Sequence, residues 1–308
     1  MTLAADLKES VRQWVLSNLP YDKTDNALVA YLDGLDAHGL LVRYHNWVSR
    51  FLEPRPRTVR KSQAFLANPI TSFLRSELVA IIDDIEHGRD LKKYLSRRIE
   101  VAVAIPGSPL AERRDLDLML NDWGVHHLHV STKMDPDGYV QRRDELLFAV
   151  FQPDTAFLVD IMNHKNWASE KVLEIVVAEW PNEGLVHEVW SPTRPPSPAR
   201  SLSEAQRLRL RNVGTNAAFE VAGRLYFPGG GMVGSGTTIA ATRDADYLLL
   251  HLEAFADEYE ADPEGFRTAF EQQHGVVLPT NPDFHFTIMD DGYGVSESNT
   301  GIALRFDR

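Results

Sequence analysis

The residues best suited to chemistry in this chain are three closely spaced histidines, His126, His127 and His129, with His164 further along. Residues 125–132 alternate in polarity and predict a β-strand, which places the side chains of His127 and His129 on one face. Histidine titrates near neutral pH, so it can accept or donate a proton during catalysis. The paired imidazoles therefore predict a general acid/base site.

Two arginines, Arg142 and Arg143, precede a second predicted strand at 145–152, and a third predicted strand at 155–162 leads to His164. An arginine at the entrance of a strand can hold a phosphate through two hydrogen bonds, or stabilise charge that develops on phosphorus. We assign Arg143 as this charge-stabilising residue.

Imidazoles and an arginine without nearby cysteine ligands are suited to cleaving RNA without a metal. A base removes the proton of the 2′-hydroxyl, an acid protonates the leaving oxygen, and a cation stabilises the charge between them. The sequence predicts His127 or His129 as the base, His164 as the acid and Arg143 as the cation. No cofactor and no metal are required.

The same residues allow other interpretations. His127, His129 and His164 could bind zinc through three imidazoles, with Asp160 as a fourth ligand or as a hydrogen-bond partner of a ligand. Alternatively, the histidines are half-buried strand residues with ordinary hydrogen bonds. The protein would then be a non-catalytic binding or scaffold component of a prophage or defence system.

The motifs of residues 123–167 also occur in a recognisable order. Trp-Gly-Val-His-His-Leu-His-Val-Ser is followed by Gln-Arg-Arg-Asp-Glu-Leu-Leu-Phe-Ala-Val-Phe, and then by an apolar strand ending in His164-Lys165. This order resembles the core meander of RelE/HigB-like ribonuclease toxins. The resemblance implies endoribonuclease activity and an active site of His127, His129, Arg143 and His164. The family's arginine inside the second strand is here displaced to Arg142 or Arg143, and the preceding helices are longer.

The elements around these residues predict an α+β protein in several parts. Helical periodicity dominates residues 1–120, and a small antiparallel β-meander with a following helix covers 121–190. A proline-rich stretch at 191–200 predicts a linker. Residues 201–308 predict an acidic α+β domain.

Composition limits the cellular setting and the partners. The chain has a net charge of −12, no cysteine and 44% hydrophobic residues. No apolar run approaches membrane-spanning length and the start is too polar for a signal peptide, so we expect a cytoplasmic protein without disulfides. A protein partner is compatible with this composition, and so is RNA, because one basic island could contact backbone phosphates. The island consists of Arg55, Arg57, Arg60 and Lys61.

Overall fold

The computed structural model describes residues 2–107, 109–164, 168–189, 202–289 and 292–306. It is a mixed α+β protein with a helical N-terminal region, as the sequence predicts. The chain divides into two compact units: residues 1–45 with 240–308, and residues 46–239.

The helices and strands of the described residues are as follows. The helices are α1 (Leu3–Asn18), α2 (Asn26–Asp33), α3 (Ala37–Val48), α4 (Gln63–Ala67), α5 (Pro69–Phe73), α6 (Arg75–Glu86), α7 (Leu118–Trp123), α8 (Lys171–Glu179), α9 (Glu204–Arg211), α10 (Ile239–Ala261) and α11 (Pro263–His274). The strands are β1 (Thr58–Lys61), β2 (His126–His129), β3 (Glu145–Phe151), β4 (Thr155–Asn163), β5 (Val186–Glu188), β6 (Phe219–Val221), β7 (Arg224–Pro228), β8 (Phe284–Met289), β9 (Gly292–Glu297) and β10 (Ala303–Arg305).

The main sheet of unit 46–239 contains the predicted meander. Strands β2, β3 and β4 run antiparallel in sequence order, and β1 joins the far edge parallel to β4, giving the order β1-β4-β3-β2. The meander confirms the sequence-based prediction. Strand β1 was not predicted, because its four residues follow a stretch rich in proline and arginine, and parallel pairing joins segments far apart in the chain.

Both faces of this sheet are buried. On one face, Leu147 and Ala149 of β3 pack in a cluster that includes the apolar side chains of α6. On the other face, Leu146 and Phe148 pack with α7 and α8. Each of these four residues is fully buried. Burying a Leu or Phe side chain contributes about 1.5–3 kcal/mol, so the sheet holds the histidines of β2 on a rigid support.

A smaller sheet in the same unit has the order β5-β7-β6. The β6–β7 hairpin turns at Ala222 and Gly223, whose φ angles are 51° and 77°. Positive φ at both central residues matches the type I′ turn that fits the strand twist. Helix α9 begins with a capping box, in which Ser203 and Gln206 satisfy each other's backbone N–H groups.

The unit formed by 1–45 and 240–308 contains α1, α2, most of α3 and α10, α11, and a sheet of order β10-β9-β8. Within it, Phe286 N donates a hydrogen bond to Ser10 Oγ at 3.0 Å, which joins β8 to α1. Phe255, Phe266 and Phe284 form edge-to-face aromatic pairs. Such pairs add to the stabilisation from apolar burial.

These two units differ from the ranges predicted from the sequence, since residues 1–45 group with the C-terminal end of the chain rather than with 46–120. The predicted linker 191–200 lies outside the described residues. Within the described ranges, none of the helices has the length and apolar character needed to span a membrane.

Candidate active site

The predicted histidines lie together at one edge of the main sheet. The ring centres of His127 and His129 are 6.4 Å apart, and those of His129 and His164 are 5.7 Å apart. His127 and His129 pair in register with Phe148 and Leu146, so they share a face of β2, as their spacing predicts. Three of the four residues assigned as catalytic from the sequence are therefore neighbours.

His164 directly follows β4, and its ring forms a hydrogen bond with a backbone carbonyl group. Its Nδ1 lies 3.2 Å from the carbonyl oxygen of Asp144. A carbonyl oxygen can only accept, so this contact requires a proton on Nδ1 of His164. The hydrogen bond fixes both the orientation and the tautomer of the ring.

The histidines line a cavity of about 480 Å³ in unit 46–239. We call it the histidine cavity, and its imidazole side is formed by His126, His127, His129 and His164. Its volume falls within the roughly 300–1,000 Å³ typical of small-molecule sites. The cavity is therefore large enough to hold a small ligand beside the imidazoles.

Five arginines also line the histidine cavity, and they divide into an exposed and a buried group. The five are Arg50, Arg98, Arg113, Arg142 and Arg211. Arg98 and Arg142 are exposed, and neither forms an ion pair with a residue in the described part of the chain. Their positive charges therefore remain available to an anionic ligand.

The structure places Arg142, not Arg143, at the cavity. Arg143 Nη1 lies 3.5 Å from Glu77 Oε1, and Arg143 is not one of the described lining residues. Arg142, rather than the Arg143 assigned from the sequence, therefore lies beside the imidazoles. The two arginines lie in an irregular segment before β3, where strand alternation cannot predict which side chain points inward.

Arg50 and Arg113 form a buried layer in the cavity wall. Arg50 Nη1 donates to the carbonyl oxygens of Val101 at 2.9 Å and Asp115 at 3.1 Å. Arg113 donates to both carboxylate oxygens of Asp115, through Nε at 3.0 Å and Nη2 at 2.5 Å. This bidentate pair satisfies the charge of Arg113 inside the protein.

Helix α9 supplies a further buried arginine, Arg211. Its Nε donates to Asp122 Oδ2 at 2.9 Å, and its guanidinium lies 4.2 Å from the centre of the Trp123 ring. Burial lowers the pKa of Arg211 while Asp122 raises it, and the net direction is downward. Both Asp122 and Trp123 belong to α7, so Arg211 joins α9 to α7.

Asp117 is the one carboxylate among the described lining residues of the cavity. Its Oδ2 lies 3.6 Å from His127 Nδ1, and its Oδ1 accepts from Leu120 N as the N-cap of α7. It also interacts electrostatically with Arg50 and Arg211. A carboxylate beside an imidazole orients the ring and stabilises its protonated form.

Burial makes the histidines of β2 weakly basic. Desolvation lowers the pKa of His126 to about 4, against the opposing effect of Asp117. Burial also lowers the pKa of His127, again opposed by Asp117. Burial, assisted by nearby His127 and Arg142, lowers the pKa of His129 to about 3. All three rings are therefore neutral at pH 7.

Two buried polar atoms of the cavity wall have no hydrogen-bond partner among the described residues, His129 Nδ1 and Arg50 Nε. Buried polar groups in native proteins are nearly always hydrogen-bonded, because desolvation without a partner costs about 1–3 kcal/mol. Both atoms belong to lining residues of the histidine cavity. A polar group of a ligand, or an ordered water, could complete each of these hydrogen bonds.

Most side chains of the basic island, which the sequence predicts to bind RNA, form hydrogen bonds with other residues of the protein. Arg55 Nη2 donates to Asp154 Oδ1 at 3.0 Å, and Arg60 Nη1 donates to Glu183 Oε1 at 2.5 Å. Each cation is thus paired with a carboxylate of the same unit.

Arg57 is buried, and its Nε donates to the carbonyl oxygen of Gln152 at 3.0 Å. Lys61 is the one exposed member of the island without an ion pair to a described residue. The island therefore joins the segment around β1 to the β3–β4 turn and to Glu183, and it offers RNA far less free charge than the sequence indicates.

Asp160, considered as a zinc ligand, is engaged by other groups. Its Oδ1 accepts from Asn68 Nδ2 at 2.7 Å, and its Oδ2 pairs with Lys171 Nζ at 3.0 Å. Across the described ranges, no group of three or more His, Asp or Glu side chains is arranged to hold a metal ion. Asp160 is therefore not the fourth ligand of a three-histidine site.

Comparison with protein-family models, with curated proteins and with solved structures found no match.

Sequence reasoning missed Arg50, Asp117 and Arg211 as members of this site. Arg50 and Arg211 are far from the histidines in the chain, and tertiary packing brings them to the cavity. Asp117 lies only ten residues before His127, at the N-cap of α7. One sequence signal could have identified Arg211 as a candidate. Arg207 and Arg211 lie four residues apart, so they share one face of a predicted helix.

Proposed function

We propose that unit 46–239 is a metal-independent endoribonuclease and that the histidine cavity is its active site. The observation that carries the proposal is the row of His127, His129 and His164 in one cavity beside the exposed Arg142. General acid/base groups and a cation around one phosphate are sufficient for this reaction. The resemblance to RelE/HigB-like toxins remains a prediction that points the same way.

The proposed reaction is a transesterification within the RNA strand. His127 removes the proton of the 2′-hydroxyl, and the 2′-oxygen forms a bond to phosphorus. The bond from phosphorus to the 5′-oxygen of the next nucleotide breaks, and His164 donates the proton that this oxygen takes up. The products are a 2′,3′-cyclic phosphate and a 5′-hydroxyl.

His127 is the best placed base because Asp117 lies against its Nδ1. The carboxylate stabilises the imidazolium that forms when the ring accepts a proton. Among the described residues no carboxylate lies against His129, and burial lowers its pKa to about 3. Its position between His127 and His164 suits it to donating a hydrogen bond to a phosphate oxygen.

Arg142 is the proposed charge-stabilising residue in place of Arg143. Its exposed guanidinium lies close enough to His127 and His129 to lower their pKa values. A guanidinium can hold two phosphate oxygens at once, and it would stabilise the charge of the pentacoordinate transition state.

The low basicity of His129 also supports a second candidate, a binding protein for an anionic ligand without turnover. In that case the imidazoles and arginines would hold the anion, and no bond would break. Measuring cleavage and binding separately distinguishes the two candidates.

The central test incubates the purified full chain with labelled single-stranded RNA in EDTA. We expect cleavage to products ending in 2′,3′-cyclic phosphate. His127→Ala and His164→Ala should each lower the rate at least a hundredfold, as loss of an acid or base does. The control is His187→Ala, an exposed histidine of β5 outside the cavity. Intact RNA with the wild-type chain would contradict the proposal.

The neighbouring arginines provide a matched pair. We expect Arg142→Ala to lower the cleavage rate at least tenfold, because Arg142 lines the cavity. Arg143→Ala should keep nearly the full rate, because its charge is directed to Glu77. The opposite ranking would show that Arg143 contacts the substrate and that the assignment of Arg142 is wrong.

A further inference from the structure

The lining of the histidine cavity includes aliphatic side chains as well as imidazoles. We call these aliphatic lining residues together the aliphatic wall, and they are Leu95, Ile99, Leu110, Leu118, Met119 and Leu208. Leu95, Ile99 and Met119 are buried core residues, so their side chains are held in place. The cavity lining therefore combines aliphatic side chains with imidazoles and guanidinium groups.

A ligand that contacts both the aliphatic wall and the imidazoles must carry a flat or apolar part next to an anionic group. A bare phosphate would contact the imidazole side alone. A nucleotide has both parts, since its base can pack on the aliphatic wall while its phosphate contacts the histidines. The unpartnered Arg50 Nε, which belongs to a side chain only 2% exposed, would donate to an acceptor on such a ligand.

The cavity volume of about 480 Å³ limits how RNA can enter. A base that is stacked and paired in a duplex cannot enter a cavity of this size without leaving its stack, which costs a few kcal/mol. An unpaired nucleotide in a loop or single strand avoids this cost.

We infer that the histidine cavity takes up one unpaired nucleotide, with its base against the aliphatic wall and its 3′-phosphate against His127, His129 and His164. This inference rests on the proposed ribonuclease function and defines its substrate class as single-stranded or looped RNA. The aliphatic wall is then the base subsite, and Leu208 on α9 is its most accessible member.

The first test measures binding by titration calorimetry with three probes in EDTA: 3′-CMP, ribose 5-phosphate and inorganic phosphate. We expect 3′-CMP to bind at least tenfold more tightly than either of the other two. Leu208→Asp should remove this preference, because it places a charge at the base subsite. Val213→Asp is the matched control, since Val213 is exposed, close to α9 in sequence and not a lining residue. Equal binding of the three probes would overturn the inference.

The second test compares cleavage of an RNA hairpin with cleavage of a perfect duplex that contains the loop sequence in paired form. We expect cuts in the loop and at least a hundredfold slower cutting of the duplex. Equal cutting of both would overturn the inference while the ribonuclease function stands. If neither RNA is cut but 3′-CMP keeps its preference, the ribonuclease function fails and the base subsite stands.

Discussion

At the scale of single residues, the histidine cavity combines neutral imidazoles with uncompensated positive charge. Burial and, to a smaller extent, the nearby positive groups together lower the pKa of His129 to about 3. An anion in the cavity opposes both effects, because it favours the protonated imidazole and partners it. Ligand binding and proton uptake are therefore coupled at this site.

We predict that anion binding is accompanied by net uptake of protons. Sulfate is a suitable probe, since it does not titrate between pH 5 and pH 7. Calorimetric titrations in buffers of different ionisation enthalpy should give a positive number of protons taken up at pH 6, and His129→Ala should reduce that number. Binding without proton uptake would show that the anion does not contact the imidazoles.

The residue scale also shows how far the sequence predicts the site. Alternation in β2 correctly places His127 and His129 on one face, because side-chain direction in a strand follows from chain position alone. The choice between Arg142 and Arg143 does not follow in this way, since both lie in an irregular segment. Arg50 reaches the cavity through contacts between distant segments, and Asp117 meets His127 from the start of α7; periodicity predicts neither contact.

At the scale of elements, α9 is joined to the rest of its unit through buried charge. Arg207 and Arg211 occupy its buried face, and they pair with Glu170 and Asp122. The helix itself was predictable from its capping box and from residue propensity. Its buried face was not, because that face carries arginines where an amphipathic pattern requires apolar residues.

We predict that Arg211→Ala lowers the free energy of unfolding by about 3–5 kcal/mol, because it leaves Asp122 buried without its cationic partner. Denaturant unfolding monitored by circular dichroism measures the change. The exposed Arg209→Ala on the same helix is the control and should change stability by less than about 0.5 kcal/mol.

A double variant separates charge from packing. Arg211→Met combined with Asp122→Leu removes both charges and keeps much of the apolar volume, so it should be more stable than Arg211→Ala alone. If the double variant is less stable than Arg211→Ala, the interaction between Arg211 and Asp122 stabilises the fold by more than the cost of burying the two charges.

At the scale of the whole molecule, the two units carry titrating groups with different acid responses. In unit 46–239, His126 and His129 are buried as neutral rings. Their pKa values are lowered from 6.5 to about 4 and about 3. Their neutral forms are favoured in the native state, so the associated stability is complete above pH 6.5 and is lost as the pH falls towards 4 and below. For His126 the loss is on the order of 3 kcal/mol.

The other unit responds at lower pH through Glu297. Burial raises the pKa of this carboxylate, but hydrogen bonds from Asp283 N, Asn299 and Thr300 outweigh burial and lower it from 4.5 to about 2. Its contribution to stability is complete above pH 4.5 and is lost as the pH falls towards 2.

We therefore predict that acid unfolds unit 46–239 before the unit of 1–45 and 240–308. Hydrogen exchange measured by mass spectrometry between pH 7 and pH 3 should show peptides of β2 and β3 losing protection at higher pH than peptides of β8 and β9, after correction for the intrinsic exchange rate. His126→Phe should move the transition of unit 46–239 to lower pH. Simultaneous loss of protection in all four strands would contradict this order.

The division of the chain into its two compact units could not be predicted from the sequence. Composition and the proline-rich stretch predict cuts at 120 and 190–200, because changes in pattern along the chain are the available signal. The observed unit of 1–45 and 240–308 is discontinuous, and its helices and strands give no local sign that they pack together.

The engagement of Arg55, Arg57 and Arg60 within the protein has a consequence for how the chain would encounter RNA. Arg55 and Arg60 pair with carboxylates, Arg57 donates to a carbonyl oxygen, and the chain as a whole carries a net charge of −12. Long-range attraction to a polyanion, which speeds association and promotes sliding along nucleic acid, is then missing. Non-specific complexes of such a protein with RNA would dissociate rapidly. Its selectivity would arise only after a nucleotide has entered the cavity.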